Sequence, residues 1–247
     1  MKITELYFSA TDNTKVSVHE MAAAIAQQET AVIDVTSGNE PIVTKTFAVD
    51  DMVVVGMPVY GGRCPKIGME RLAGITGSNT PCIVVVTYGN RDYDDALLEL
   101  CDFMKGRGFL VKGAAALIGK HTFGEIQVTR PDKEDLEACR AFAIKASHNE
   151  NAEVAVKGNY PYKDGGNGAK FRPSTTEACV QCGLCVKQCS AHAIDVDCKT
   201  INDTCVSCFR CIKVCPMGAK QMISEAYDEF AAGFTARLSK RLENEFF

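Results

Sequence analysis

The chain has 247 residues, 46% of them hydrophobic and 23% charged, with a formal net charge of −4. These values suit one or two folded domains and give no electrostatic footing for nucleic acid. No signal-peptide core opens the chain and no apolar run approaches the roughly 20 residues that span a bilayer, so a cytoplasmic location without a membrane span is expected.

Strand and helix signals alternate through residues 1–150. Apolar or β-rich runs lie at 3–8, 31–35, 52–57, 82–87 and 114–118, with helical patterns at 14–28, 65–72, 93–105 and 133–148. The runs at 52–57 and 82–87 are apolar throughout, which predicts strands covered on both faces. Five βα units of this kind predict a doubly wound, five-stranded parallel sheet.

Three loops fall at the C-terminal ends of these strands, where the ligand crevice of such a sheet opens. After the first strand come Ser9, Ala10, Thr11, Asp12, Asn13 and Thr14. Their hydroxyls and amide, with a helix start behind them, suit a phosphate dianion, although the same residue types also cap ordinary helices. The third strand ends in Pro58, Val59, Tyr60, Gly61 and Gly62, and the fourth in Thr87, Tyr88, Gly89 and Asn90, with Tyr93 just beyond. Glycines there let backbone approach a flat ligand, and tyrosines can stack on one. No Gly-x-Gly-x-x-Gly follows the first strand, so no built-in dinucleotide site is expected.

These loops resemble the phosphate, fifties and nineties loops of flavodoxins, and residues 1–150 match that family in strand order. The resemblance implies bound FMN, with Tyr60 in the place of a stacking Trp and Tyr93 in that of a stacking Tyr. The chain departs from the family in having Asp12 where Gly is usual and in having no Trp.

The alternation stops near Asn149. Residues 151–171, with Asn-Tyr-Pro-Tyr at 159–162 and glycines at 165, 166 and 168, predict a linker or an extended segment laid over a surface. Eight of the 13 cysteines follow in two runs: Cys179, Cys182, Cys185 and Cys189, then Cys205, Cys208, Cys211 and Cys215. The second run is the first displaced by 26 residues, 179 to 205. Zinc sites use Cys pairs with longer spacers, and a reducing compartment disfavours disulfides. The doubled run fits two [4Fe–4S] clusters, in which the fourth Cys of each run ligates the other cluster. One cluster then takes Cys179, Cys182, Cys185 and Cys215, and the other Cys205, Cys208, Cys211 and Cys189.

Residues 172–223 resemble bacterial-type two-cluster ferredoxins, a small α+β domain, with Ser190 where Pro is usual. Cys198 lies outside both sets. Residues 224–247 carry Tyr227, Phe230, Phe234, Leu238 and Leu242 at helical spacing, which predicts an amphipathic helix that packs on its own chain or on a dimer partner. His19, His121, His148 and His192 are read as surface or packing residues. Arg63, Lys66 and Arg91 would attract an anionic substrate or balance flavin charge.

The whole chain resembles flavodoxin–ferredoxin fusion proteins of anaerobes, which implies electron exchange between the two clusters and FMN, with redox proteins as partners. The alternatives are a reductase of a small molecule such as a quinone or nitro compound, and an electron-input subunit of a larger oxidoreductase. No acid/base constellation in the sequence marks an enzyme.

Overall fold

The computed structural model describes residues 2–37, 44–150, 153–165 and 171–247. Gly166 and Gly168 of the expected linker lie outside them. The first lobe runs β1 (Lys2–Tyr7), α1 (Asn13–Ile25), β2 (Ala31–Asp34), β3 (Lys45–Phe47), β4 (Asp51–Pro58), α2 (Lys66–Arg71), β5 (Ile75–Gly77), β6 (Thr80–Tyr88), α3 (Ala96–Lys105), β7 (Phe109–Ile118) and α4 (Lys133–Ser147). The second holds β8 (Ser174–Thr175), α5 (Leu184–Lys187), α6 (Arg210–Val214) and β9 (Lys220–Gln221). The chain ends in α7 (Glu225–Arg237) and β10 (Glu245–Phe246).

The main sheet has the order β10-β7-β6-β4-β1-β2, and every pairing except β10 on β7 is parallel. Its five parallel strands form the doubly wound arrangement of flavodoxin-like folds. Side-chain alternation divides the core in two. Val53, Val55, Met57, Val84 and Val86 face Leu97, Leu100 and Met104 of α3. Met52, Val54, Ile83 and Val85 face Val18 and Met21 of α1 and Cys139 and Ala143 of α4. With both faces covered, β4 and β6 are buried along nearly their whole length, as their unbroken apolar runs require.

Two expectations change. The sheet has six strands, because β10 adds antiparallel at the β7 edge. The C-terminal helix stops at Arg237 instead of running through 247. Asn90 Nδ2 donates to the carbonyls of Leu238 (2.9 Å) and Lys240 (2.6 Å), and Arg130 Nη1 to that of Leu242 (2.7 Å). Carbonyls held by side chains over a hundred residues away do not continue a helical ladder.

The expected linker is an extended segment over α3. Both oxygens of buried Asp95 accept backbone amides, from Asn159 (2.8 Å) and Lys163 (2.7 Å), and these amides, Lys163 first, hold its carboxyl below the usual range. The hydroxyls of Tyr160 and Tyr162 both donate to Asp102.

In the cysteine-rich lobe the duplication is visible in the backbone. Positive φ recurs at Gln181 (54°) and Ser207 (50°), at Gly183 (73°) and Phe209 (57°), and at His192 (49°) and Gly218 (59°). Each pair is 26 residues apart. Left-handed conformations at Gln181, Ser207 and Phe209 are costly and persist where the surroundings demand them. The lobe packs on the first through an aromatic cluster. Phe123 sits 5.3 Å from Phe209 and 6.0 Å from Phe230, while Phe171 lies 5.2 Å from Tyr227. The stripe at Tyr227, Phe230 and Phe234 therefore covers the seam between lobes.

Candidate functional site

The strand-end loops enclose a cavity of about 1020 Å³. Ser9, Ala10, Thr11, Asn13 and Thr14 line it from the β1 loop, Pro58, Val59, Tyr60 and Gly61 from the β4 loop, and Thr87, Tyr88 and Gly89 from the β6 loop. Much of the polar chemistry of the first loop shapes the loop itself. Ser9 Oγ accepts the Lys15 amide (3.0 Å), Thr14 Oγ1 bonds Thr87 Oγ1 (2.6 Å) and Asn13 Nδ2 donates to the Lys120 carbonyl (2.8 Å). The Asp12 side chain does not cap α1 and Ser9 Oγ takes the Lys15 amide, which leaves the amides of Asn13 and Thr14 open toward an anion beside Thr11.

Tyr60 begins a tight turn: its amide donates to the Arg63 carbonyl (2.9 Å), and Gly61 and Gly62 between them have φ of 63° and 89°. Only glycine takes such angles without strain at both positions. Gly89 has a different reason. A Cβ there would lie 2.0 Å from His121 Cδ2, so the β6 loop touches the loop after β7 backbone to ring.

Asp12, Gly62, Asn90 and Tyr93 do not line the cavity. Asp12, left-handed at φ 72°, pairs with Arg210 (3.4 Å) and Lys213 (2.7 Å) of α6. Asn90 holds the C-terminal segment. Tyr93 is buried edge-on against Tyr88, 5.4 Å between centroids, and its hydroxyl donates to Glu245 (2.9 Å). It is a core residue tying β10 down, and its ring is not free to stack on a ligand. Tyr60 is half-buried, edge-on to Phe8 at 6.4 Å. Burial, and then the neighbouring Cys208, push its phenol well above the ordinary value.

Sequence reasoning misses two walls. Lys120, His121, Thr122 and Phe123 come from the irregular loop after β7, which has no motif to mark it. His121 is therefore a wall residue as well as a packing one. Its Nδ1 accepts the Phe123 amide (2.8 Å), which leaves the neutral ring's proton on Nε2, and burial lowers its pKa to about 4. The other wall comes from the second lobe: Arg172, Asp203, Val206 and Ser207. Val206 and Ser207 stand between Cys205 and Cys208 in the chain.

The basic residues expected to serve an anion divide. Arg63 is spent on a two-pronged pair with Glu99 (2.7 and 2.8 Å) and on the Lys163 carbonyl. Arg91 pairs with Asp94 away from the cavity, while Lys66, almost fully exposed, lines its mouth.

The cysteines group across the two runs. Cys179, Cys182, Cys185 and Cys215 line one small cavity together, with Cys198 beside them. Burial pushes Cys208 up to about 11 and Cys211 to about 12, and the charges of Cys189 and Cys205 act on both. The Ala193 amide donates to Cys189 Sγ and, 26 residues on, the Ala219 amide to Cys215 Sγ, each at 3.3 Å. Burial raises the Cys215 thiol, but amide contacts, led by that of Lys220, outweigh it and leave the net direction downward. Among the described residues no three His, Cys, Asp or Glu side chains converge on a single metal ion. A four-iron cube binds each thiolate at a different corner and does not ask for such convergence.

No protein-family model matches the chain, and no curated protein matches it. Among solved structures it is similar to a flavodoxin from the domain Archaea, at 17% identity and TM-score 0.43 over 61% of this chain and 100% of that one. It is also similar to Flavodoxin 2 from Bacillus cereus, at 17% and 0.45 over 60% and 98%. A flavone reductase is similar at 11% and 0.43 over 64% and 66%.

Proposed function

We propose that the chain is an electron-transfer flavoprotein that passes electrons between two [4Fe–4S] clusters and a bound FMN, with external redox proteins as its partners. The observation that carries this reading is the shared wall. Val206 and Ser207, inside the Cys205–Cys208 stretch, line the same cavity as the three strand-end loops. A cluster held by Cys205, Cys208, Cys211 and Cys189 would lie against the flavin, and Tyr60, next to Cys208, would stand between them.

The donor sets fit these groups. The cavity is of the size that holds a cofactor and is lined by mixed apolar and polar residues. Thr11 and the start of α1 would hold the phosphate, and Pro58 to Gly61 with Thr87 to Gly89 would border the ring. For the clusters, the eight cysteines would divide into two crossed sets: Cys179, Cys182, Cys185 and Cys215 line one small cavity, and the last cysteine of each run accepts a backbone amide. When bound, the clusters would exchange single electrons and the flavin one or two.

The rest follows from this chain's own side chains. Phe123, Val206 and Tyr60 line the cavity and would exclude water between a bound flavin and the inner cluster. At the other set Cys182 is exposed, and Val180 (62% exposed) and Met217 (50%) flank it with apolar surface. An external partner would meet the protein there. A reducing, cytoplasmic setting, in which thiolates stay available to iron, belongs to this reading.

The test is anaerobic purification with iron, sulfide and flavin analysis, followed by Cys189→Ser and Cys215→Ser. Electron paramagnetic resonance should show Cys215→Ser damaging the cluster of Cys179, Cys182 and Cys185, and Cys189→Ser the one beside the flavin. Rapid mixing with dithionite should find transfer to flavin lost only in Cys189→Ser. Intact clusters and parental flavin reduction in both variants would refute it.

A further inference from the structure

Between the two cysteine sets lies a buried cation. Lys220 opens β9, just after Cys215 and its turn, and is 2% exposed. Its Nζ has no hydrogen-bond partner, and among the described residues no carboxylate pairs with it. Asp197 feels its charge but spends its oxygens on the amides of Lys199 and Thr200 and on the Thr200 hydroxyl. An unpaired buried ammonium is among the costlier arrangements a fold can keep.

Shape does not explain it. The duplication supplies an internal control: the position 26 residues earlier, Ile194, is also buried, and it is apolar. The fold accepts a hydrocarbon side chain at this place, so the charge needs a reason of its own. The surrounding thiols provide one. Lys220 lines the small cavity with Cys179, Cys182, Cys185 and Cys215. Its charge also acts on Cys205 and Cys211 of the other set. Neutral thiols offer an ammonium little, whereas thiolates on an iron–sulfur cube are anionic.

We propose that Lys220 is the shared counter-cation of both clusters, a positioning residue whose fixed charge holds their reduction potentials up. This rests on the proposed function above. Each cluster takes one electron on reduction and becomes more negative. A nearby positive charge stabilises the reduced form more than the oxidised one, so removing it makes reduction harder.

The experiment is a dithionite redox titration of the full-length, cluster-loaded chain, followed by electron paramagnetic resonance, in the parent, Lys220→Met and Lys220→Arg. In Lys220→Met the reduced-to-oxidised ratio at the parental midpoint should fall about tenfold, equivalent to about 59 mV for a one-electron couple. Lys220→Arg should restore most of it. Parental midpoints in Lys220→Met would overturn the proposal. If Lys220→Met takes up no iron, full loading of Lys220→Arg would support it, and failure of both would overturn it, because shape would then be the requirement. A parent without iron would refute the proposed function itself, a result distinct from an unshifted midpoint.

Discussion

In the parallel-sheet lobe the sealed side chains are mostly hydrocarbon: Val53, Val54, Val55, Val84, Val85 and Leu100 are wholly inaccessible, and among the polar ones Asp95 and Arg130 are hydrogen-bonded or paired. In the cysteine-rich lobe the sealed side chains are Cys185, Cys189, Cys198 and Cys211, with Ala193 and Ile194, beside the unpartnered Lys220 ammonium. The first set drives folding by leaving water. The second has less apolar area to bury, which is what a lobe built around the proposed clusters would show. In the proposed reading one lobe would fold on its own core and host its ligand at the rim, and the other would need its clusters as the core.

Removing the metal should break this comparison most sharply. Chelating iron from the loaded protein should release residues 172–223 to rapid hydrogen exchange while β1, β4, β6 and β7 stay protected. Equal protection in both lobes of the metal-free chain would show that the second lobe has a sufficient core after all. The converse perturbation is Leu100→Ala, which should cost about 2–5 kcal/mol in denaturant unfolding of the first lobe. The cluster spectra should remain parental at low denaturant.

The strands, both core faces and the duplicated cysteine spacing are legible in the sequence because each rests on local periodicity, whereas the order of the parallel strands is legible only through the resemblance to flavodoxins. Val53, Val55 and Met57 alternate with Met52 and Val54, and a two-residue spacing between cysteines is visible without a fold. The misreadings fall where a distant partner decides. Tyr93 sits where a stacking ring is expected, but Glu245, 152 residues on, takes its hydroxyl. The stripe from Tyr227 to Leu242 keeps helical spacing, yet Asn90 and Arg130 capture the carbonyls beyond Arg237. The walls from Phe123 and Val206 are created only when the lobes meet, and no local pattern encodes that meeting.

His121 sharpens the comparison at the seam. Its ring packs against Phe234 at 4.9 Å, and burial lowers its pKa to about 4 from 6.5. The unfolded chain therefore binds a proton there at a pH where the folded chain does not. The contribution is complete above pH 6.5 and is lost as pH falls toward 4, up to about 3 kcal/mol. His121→Gln should flatten that part of the stability profile, read as unfolding midpoints between pH 7 and 4. An unchanged pH slope would remove His121 from the seam's energetics.

The smallest expected effect concerns Asp12, which resolves a conflict in the sequence. A carboxylate in a phosphate loop repels the ligand, yet here it faces Arg210 and Lys213 of the cysteine-rich lobe. Lys213 also donates to the Thr11 carbonyl (2.8 Å) and Arg210 to that of Ala10 (3.2 Å), so both cations grip the loop from outside. Asp12→Asn keeps the left-handed backbone, which Asn tolerates. It removes one negative charge and leaves two cations beside the phosphate position. FMN should then bind a few-fold more tightly. The ion pairs are half-exposed, so their loss should weaken docking of α6 by no more than about 1 kcal/mol, seen as slightly faster exchange at residues 210–214. Both changes should shrink at 1 M salt, where the Debye length is only about 3 Å. Weaker FMN binding in Asp12→Asn would mean that the carboxylate supports the loop's shape more than its charge opposes the phosphate.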